Sequence, residues 1–230
     1  MPEHRDLRIV HATGVDGARQ ARGTVVVIDV LRSFSVSAYA LAGGALECRL
    51  VPTVDEARAL AERTPGAVLC AEEGALPIEG IAISNSPTQI RATELGGRVL
   101  VQRSSAGTPV VAAVRSEVIF AASLVVARAT VQACLSTRPE VLTLVASADF
   151  PEDHACAQYM AAVARGREVD LAELLRPLYE SERYNKIKGG GWPGFPASDL
   201  ELSLTVDLFP FAMPVTRHSD YDRLTRSDQG

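Results

Sequence analysis

The chain has 230 residues, of which 47% are hydrophobic and 22% charged, and its formal net charge at pH 7 is -5. That length suits one domain, or one domain with a smaller lobe, and the negative charge argues against a nucleic-acid partner, which normally requires a basic face. No apolar run is long enough to cross a bilayer, no secretory signal is present, and the four cysteines show no CxxC spacing. We therefore expect a cytoplasmic protein with buried free thiols and no membrane partner.

Short apolar strands alternate with alanine-rich helices in the first part of the chain. The predicted strands are 24–29, 46–51, 67–71, 98–102, 117–121 and 141–146. The predicted helices are 35–42, 54–63, 87–95, 109–114, 124–135 and 151–164. Continuous apolar strands separated by helices indicate a mostly parallel sheet that is covered on both faces. The predicted fold class is therefore α/β, a three-layer α/β/α sandwich.

The alternation stops after residue 164. We predict a core domain over 1–164, which carries the site, and a C-terminal extension of helix and loop over 165–230 that packs on it. A helix is expected over 170–183. The stretch KGGGWPGFPASDL is rich in Gly and Pro, so it is either a cover over the site or plain surface, and plain surface is the simpler interpretation. The last residues, HSDYDRLTRSDQG, are expected to form a frayed polar tail.

Nearly every polar cluster in the first 155 residues follows the carboxyl end of a predicted strand. In open α/β sheets, ligands bind outside the carboxyl ends of the strands. The sequence therefore predicts a ligand site formed by the strand-end segments 29–35, 72–87, 103–108, 122–123 and 147–153.

Asp29 follows the apolar run VVVI, where an unpaired carboxylate costs several kcal/mol. A carboxylate at the end of a strand can hold a hard cation such as magnesium, and Arg32 can bind two oxygens of an anion. The alternative is an internal ion pair between Asp29 and Arg32.

Glu72 and Glu73 leave another strand and suit cation binding, but adjacent side chains point in different directions, so at most one of them faces inward. The Ser-Pro pair at 86–87 is typical of a helix start. Asn85, just before it, has no equally evident structural duty.

Glu152 and Asp153 lie in the first turn of a predicted helix, where the helix dipole alone favours carboxylates. Alternatively, they bring negative charge toward Asp29. Carboxylates that repel one another need a metal ion or a proton.

RSSAGTP, at 103–109, combines a cation, hydroxyls and a glycine just before a helix. Such loops bind phosphate or sulfonate through backbone amides and hydroxyls. A helix cap by Thr108 accounts only for the end of the stretch. An anion-binding site would account for the other residues, Arg103, Ser104, Ser105 and Gly107.

These blocks, in this order, resemble the 2-phosphosulfolactate phosphatase family. The matching parts are VVVIDVLRS, the E-x-G-x(4)-EG-x(4)-NSP stretch at 72–87, the Gly-Thr loop at 103–108 and the ED-x-x-C-A block at 152–157. The resemblance implies a magnesium-dependent phosphatase on a three-layer α/β scaffold. The family's named reaction hydrolyses 2-phosphosulfolactate to sulfolactate and phosphate, a step in coenzyme M biosynthesis.

Carried onto this chain, the resemblance implies a Mg²⁺ ion held by Asp29, Glu72 and Asp153. Asp29 and Arg32 are the expected catalytic residues, with Asp29 as the candidate nucleophile if a phosphoenzyme forms and water as the alternative attacking group. The residues expected to bind the anionic substrate are Arg32, Asn85, Arg103, Ser104, Ser105, Gly107 and Thr108.

Two positions depart from the family pattern. Many relatives carry T-T-N-G-T where this chain has Ala106, and others carry an aspartate where it has Ala82. These changes favour a non-catalytic small-anion-binding protein on the same scaffold. The retained acidic residues favour a phosphatase acting on a small anionic phosphoester, 2-phosphosulfolactate or a related 2-phospho acid.

A homodimer is expected only because dimers are common.

Overall fold

One mixed sheet of eleven strands organises the protein in a computed structural model whose described residues are 7–228. The strands are β1 (Arg8–Thr13), β2 (Thr24–Ile28), β3 (Glu47–Leu50), β4 (Val68–Glu73), β5 (Leu76–Pro77), β6 (Val99–Arg103), β7 (Ile119–Ala122), β8 (Val141–Ala146), β9 (Phe211–Arg217), β10 (Asp222–Leu224) and β11 (Ser227–Asp228). All six predicted strands are confirmed, as β2, β3, β4, β6, β7 and β8.

Helices connect most of these strands. They are α1 (Gly14–Gln20), α2 (Ser33–Ala42), α3 (Val54–Glu62), α4 (Pro87–Arg91), α5 (Gly107–Ala113), α6 (Ala127–Ser136), α7 (Pro151–Ala164), α8 (Leu171–Tyr179), α9 (Glu182–Lys188) and α10 (Ser198–Leu204). A 3₁₀ turn, Leu124–Val126, precedes α6. The predicted α/β class and three-layer arrangement are confirmed.

The sheet consists of two parallel sets joined by antiparallel strands. One set has the order β1-β8-β2-β7 and the other β3-β6-β4, and β9 and β10 lie between them. β9 pairs with β7 at Met213 and Pro214 and with β10 over 215–217. Three successive antiparallel pairings leave the two sets running in opposite directions, so the sheet has to curve for their carboxyl ends to meet.

The core explains why β2 reads as an uninterrupted apolar run. All of its residues are buried, as expected for a strand with both faces covered. Each fully buried valine or isoleucine there contributes about 1.5–3 kcal/mol relative to an exposed one. Asp29 follows β2 directly, so its carboxylate lies at the carboxyl end of a fully buried strand.

The segment after residue 164 differs from the prediction in two places. The expected helix over 170–183 is two helices, because Ser181 caps α9 by accepting a hydrogen bond from the Tyr184 N–H at 3.1 Å. The expected frayed tail contains β10 and β11, both paired with β9, and only its last two residues lie outside the described part of the chain. The division at residue 164 into core and extension stays a prediction.

The four cysteines are free and buried, as expected: Cys48, Cys70, Cys134 and Cys156. Burial raises the pKa of the Cys70 thiol to about 12, so it stays protonated at neutral pH. Across residues 7–228, no helix is both long and apolar enough to cross a membrane.

Candidate active site

A cavity of about 420 Å³ lies at the carboxyl ends of strands from both parallel sets. Four of the five predicted strand-end segments contribute to its wall, and two side chains come from the C-terminal part of the chain. The lining residues are Asp29, Leu31, Arg32, Glu72, Gly74, Ala75, Asn85, Ser104, Ser105, Ala106, Ala148, Phe150, Arg183 and Trp192. The cavity therefore lies where the sequence predicts the ligand site, and ligand binding there stays a prediction.

Asp29 is buried, with 5% of its surface exposed. Its Oδ1 accepts a hydrogen bond of 2.9 Å from the Ser33 N–H at the start of α2, whereas Oδ2 accepts none within the described residues. Burial, together with the charges of Glu72 and Glu152, raises the pKa of Asp29 from 3.8 to about 6, against the lowering effects of the Ser33 bond and the charge of Arg183. Asp29 is thus an oriented carboxylate whose ionised form a nearby cation would stabilise.

Glu72 provides a second buried carboxylate in the same cavity. Its Oε1 accepts a bond of 2.5 Å from the Ser105 N–H, and its Oε2 accepts bonds from the Ser105 hydroxyl at 3.1 Å and the Ala75 N–H at 2.6 Å. These donors fix Glu72 against the loop that follows β6. Two carboxylates from opposite parallel sets therefore meet at one site.

Asp153 lies close to Asp29 but does not line the cavity. Its Oδ1 accepts a bond of 2.8 Å from the Val30 N–H, and its Oδ2 accepts one of 2.8 Å from the Ser147 hydroxyl. Burial, followed by the charges of Asp29 and Glu152, raises the pKa of Asp153 well above its ordinary value. Its role as a metal ligand stays a prediction, which this geometry does not favour because Asp153 does not line the cavity.

Arg32 lines the cavity but does not pair with Asp29. Its Nη1 donates to Asp199 Oδ2 at 2.9 Å and to the Gly194 carbonyl at 2.7 Å, and Nη2 donates to another backbone carbonyl at 3.1 Å. The guanidinium carbon lies 3.9 Å from the centre of the Phe195 ring. Arg32 therefore ties the C-terminal segment to the core, and its predicted roles in catalysis and substrate binding stay predictions.

The loop predicted to bind an anion uses several of its polar groups internally. Arg103 donates to the carbonyls of Glu72 and Pro52 and does not line the cavity. The side chains of Ser104 and Thr108 each accept a 3.1 Å bond from the other residue's N–H. This reciprocal pair stabilises the start of α5. Of the five predicted binding residues in this loop, only Ser104 and Ser105 line the cavity.

Asn85 lines the cavity and belongs to a buried polar network. Its Oδ1 accepts a bond of 2.8 Å from Gln102 Nε2, which also donates to the Ser33 carbonyl at 2.8 Å. Asn85 has a φ of 58°, a conformation that asparagine tolerates better than most residues. The network connects β6, α2 and the loop before α4 beneath the site.

Gly107 packs directly against the candidate catalytic group. A Cβ on Gly107 would lie 2.7 Å from Asp29 Oδ2 and 2.9 Å from the Cβ of Ser33. We expect Gly107→Ala to lower the free energy of unfolding by about 1–3 kcal/mol and to reduce kcat/KM at least about tenfold, because Asp29 has to move. Urea denaturation and initial rates measure the two effects. Gly96→Ala is the control because its Cβ meets only the Glu94 carboxylate, and equal behaviour of both variants would contradict the close packing.

Two residues of the wall lie outside the predicted strand-end segments. Arg183, on α9, reaches the cavity and lies over the ring of Phe150, with its guanidinium carbon 4.2 Å from the ring centre. Trp192 also lines the cavity and donates from Nε1 to the Ala75 carbonyl at 3.2 Å. The interpretation of the Gly/Pro-rich stretch as plain surface is therefore wrong, because part of it covers the site. The presence of a lone tryptophan in that stretch was the available signal.

The fit of a magnesium ion depends on the carboxylates at the cavity. Residues 7–228 hold no group of three or more His, Cys, Asp or Glu side chains placed to bind a metal. Magnesium often uses only one or two carboxylates and completes its shell with water and substrate phosphate. Asp29, which has an oxygen without a hydrogen bond, and Glu72 fit such a site.

Comparisons with known proteins agree on one family. The family model described as 2-phosphosulpholactate phosphatase matches residues 11–189. A probable 2-phosphosulfolactate phosphatase of Bacillus subtilis (strain 168) is 31% identical over 206 residues, which cover 87% of this chain and 90% of that protein. Proteins with the same description from Thermoplasma acidophilum and Thermotoga petrophila are 33% and 36% identical, over 79% and 70% of this chain and 81% and 69% of their own lengths.

Proposed function

The chain belongs to the 2-phosphosulfolactate phosphatase family, and from that membership we propose that it hydrolyses 2-phosphosulfolactate, or a related 2-phospho acid, with magnesium. The observation that carries the proposal is the position of Asp29. It is a buried, oriented carboxylate with one oxygen that accepts no hydrogen bond from residues 7–228, and it lines a cavity large enough for a small phosphoester.

Asp29 supports either of two routes to hydrolysis. In the first, its Oδ2 attacks phosphorus and the ester oxygen leaves and takes up a proton, after which water cleaves the acyl phosphate and restores the carboxylate. In the second, Asp29 accepts a proton from the water that attacks phosphorus, and the ester oxygen leaves and takes up a proton. Both routes require ionised Asp29, which the hydrogen bond from Ser33 orients.

Asp29 and Glu72 are the residues we propose to hold magnesium. The bound ion would neutralise phosphate oxygens and the negative charge that the two carboxylates bring into one cavity. The Ser105 N–H and hydroxyl orient Glu72, and the Ser33 N–H orients Asp29. The two carboxylates that we propose as ligands are therefore already oriented by hydrogen bonds.

One observation favours a second function. Ala106 lines the cavity at a position where many relatives carry asparagine, so an amide donor is absent from the wall. A non-catalytic protein that binds a small anion would retain the cavity and lose such a group. Ala82, the other departure, is exposed and does not line the cavity, so it does not bear on this choice.

Phosphate release from a panel of small phosphoesters, including 2-phosphosulfolactate, tests the proposal. We expect turnover in the presence of magnesium and its loss when a chelator is added. A rate that the chelator does not change would contradict the role of magnesium. If no phosphate is released and the same compounds still raise the melting temperature, the anion-binding function is the correct one.

A further inference from the structure

Arg183 is held at the wall of the cavity by contacts on several sides. Its Nη1 forms an ion pair with Glu152 Oε1, and its Nη2 donates to the Leu31 carbonyl at 3.2 Å. The face of the guanidinium lies on the Phe150 ring. These contacts fix the direction of a long and otherwise flexible side chain.

The partner of Arg183 is buried more deeply than an ordinary surface carboxylate. Glu152 has no exposed surface, and its Oε2 is buried without a hydrogen-bond partner in the described part of the chain. A charged group with an unsatisfied oxygen is costly to bury. Its contact with Arg183 is the one ion pair that Glu152 forms within residues 7–228.

Arg183 keeps donors for a ligand. A guanidinium has five N–H groups, and the structure uses one of them toward Glu152 and one toward Leu31. About a fifth of the Arg183 side chain is exposed, compared with 2% for Arg32, the other arginine of the wall. Arg32 already donates three hydrogen bonds and pairs with Asp199. Arg183 is therefore the better placed of the two to receive an anion.

The cavity wall contains two carboxylates and one accessible arginine. The groups that orient a metal and a phosphate are Asp29 and Glu72, and Glu72 is fixed by the loop that follows β6. Arg183 stands with Phe150 and the loop that follows β8, in the same parallel set as Asp29, and its bond to the Leu31 carbonyl places it close to Asp29. A 2-phospho acid carries its carboxylate on the carbon next to the one that bears the phosphate, so an accessible cation beside these carboxylates matches such a substrate.

We propose that Arg183 binds the carboxylate or sulfonate of the substrate, and that Glu152 is its positioning residue. The proposal rests on the proposed function for the identity of the substrate. It makes Arg183 a determinant of specificity, because a phosphoester without a second acid group would leave its free N–H groups unpaired.

Separate binding of the two parts of the product tests this assignment without requiring catalysis. Sulfolactate and inorganic phosphate are titrated calorimetrically into the wild-type protein and into Arg183→Met. We expect the variant to bind sulfolactate at least about tenfold more weakly and to bind phosphate within about twofold of wild type. Arg176→Met is the matched control, since Arg176 is exposed on α8 and pairs only with Glu173. It should bind both ligands as wild type does.

Three results would overturn the assignment: no binding of sulfolactate by wild type, equal losses for both ligands in Arg183→Met, or no loss for either. If Arg183→Met does not fold, Arg183→Lys replaces it, and a loss of sulfolactate binding is still expected because lysine lacks the planar fork. A wild-type protein that binds sulfolactate through Arg183 but releases no phosphate would refute the proposed function and leave this assignment standing.

Two further measurements separate the acid groups and test Glu152. Lactate and 2-hydroxyethanesulfonate, used as competitors of sulfolactate, show which group Arg183 contacts, and equal competition against wild type and Arg183→Met by both would count against the assignment. Glu152→Gln should raise KM severalfold with little change in kcat. In the calorimetric titration, the same variant should bind sulfolactate severalfold more weakly than wild type. A fall in kcat at constant KM would remove Glu152 from the positioning role.

Discussion

Asp29→Asn is expected to lower the rate of phosphate release on the order of 10³-fold or more while the protein stays folded. The amide has nearly the shape of the carboxylate and still accepts the hydrogen bond from Ser33, but it can neither attack phosphorus nor hold magnesium as an anion. Initial rates with saturating substrate measure the effect. Asp55→Asn, at an exposed position of α3, is the control and should retain full activity.

The same variant should be more stable than the wild-type protein at neutral pH without magnesium. Because the native pKa of Asp29, about 6, lies above its ordinary 3.8, ionisation above pH 6 opposes folding. Each pKa unit corresponds to about 1.4 kcal/mol, so the gain from Asp29→Asn should be about 1–3 kcal/mol at pH 8 and should fade toward pH 4. Urea denaturation at both pH values measures it, and a gain independent of pH would contradict the raised pKa.

Asp199→Ala is expected to lower the free energy of unfolding by about 3–5 kcal/mol. Asp199 is fully buried, pairs with Arg32, and accepts hydrogen bonds from the Ser86 hydroxyl at 2.7 Å and the Thr88 N–H at 3.0 Å. Its removal leaves the Arg32 guanidinium buried without a counter-ion. Urea denaturation measures the loss of stability.

The control for this prediction is another aspartate–arginine pair of the same chain. Asp220 pairs with Arg63 at 2.9 Å, but both side chains are more than half exposed. Exposed pairs contribute little, so Asp220→Ala should change stability by less than about 1 kcal/mol. A loss below about 1 kcal/mol for Asp199→Ala as well would show that Arg32 does not depend on this partner.

Three of the strands that the sequence predicts, β2, β7 and β8, are buried along almost their whole length. β2 and β8 read as apolar runs because both faces of the central strands are covered. β1 was missed because its half-exposed residues mix with histidine and arginine. β9 was missed because Pro214 stands within it, and a proline argues against a central strand. β10 has only three residues and forms a short hairpin with β9, and its other partner, β3, is distant in sequence.

The site could be predicted in place but not in its hydrogen bonding. Asp29 and Glu72 were recognisable because each follows an apolar strand. The hydrogen-bond partners of Arg32 and Arg103 could not be predicted. They are backbone carbonyls and a carboxylate that lie far away in the sequence. Arg183 lies in ERYNKIK, where nothing distinguishes it from a solvated helix face. Long-range packing alone brings it to the cavity.

The most direct test of the central claim compares phosphate release from 2-phosphosulfolactate by the wild-type protein and by Asp29→Asn, with magnesium and under the same conditions. We expect the wild-type protein to release phosphate from this substrate and the variant to lose nearly all of that activity. Comparable rates for the two proteins would show that hydrolysis does not use Asp29, and would place the chemistry outside this part of the cavity.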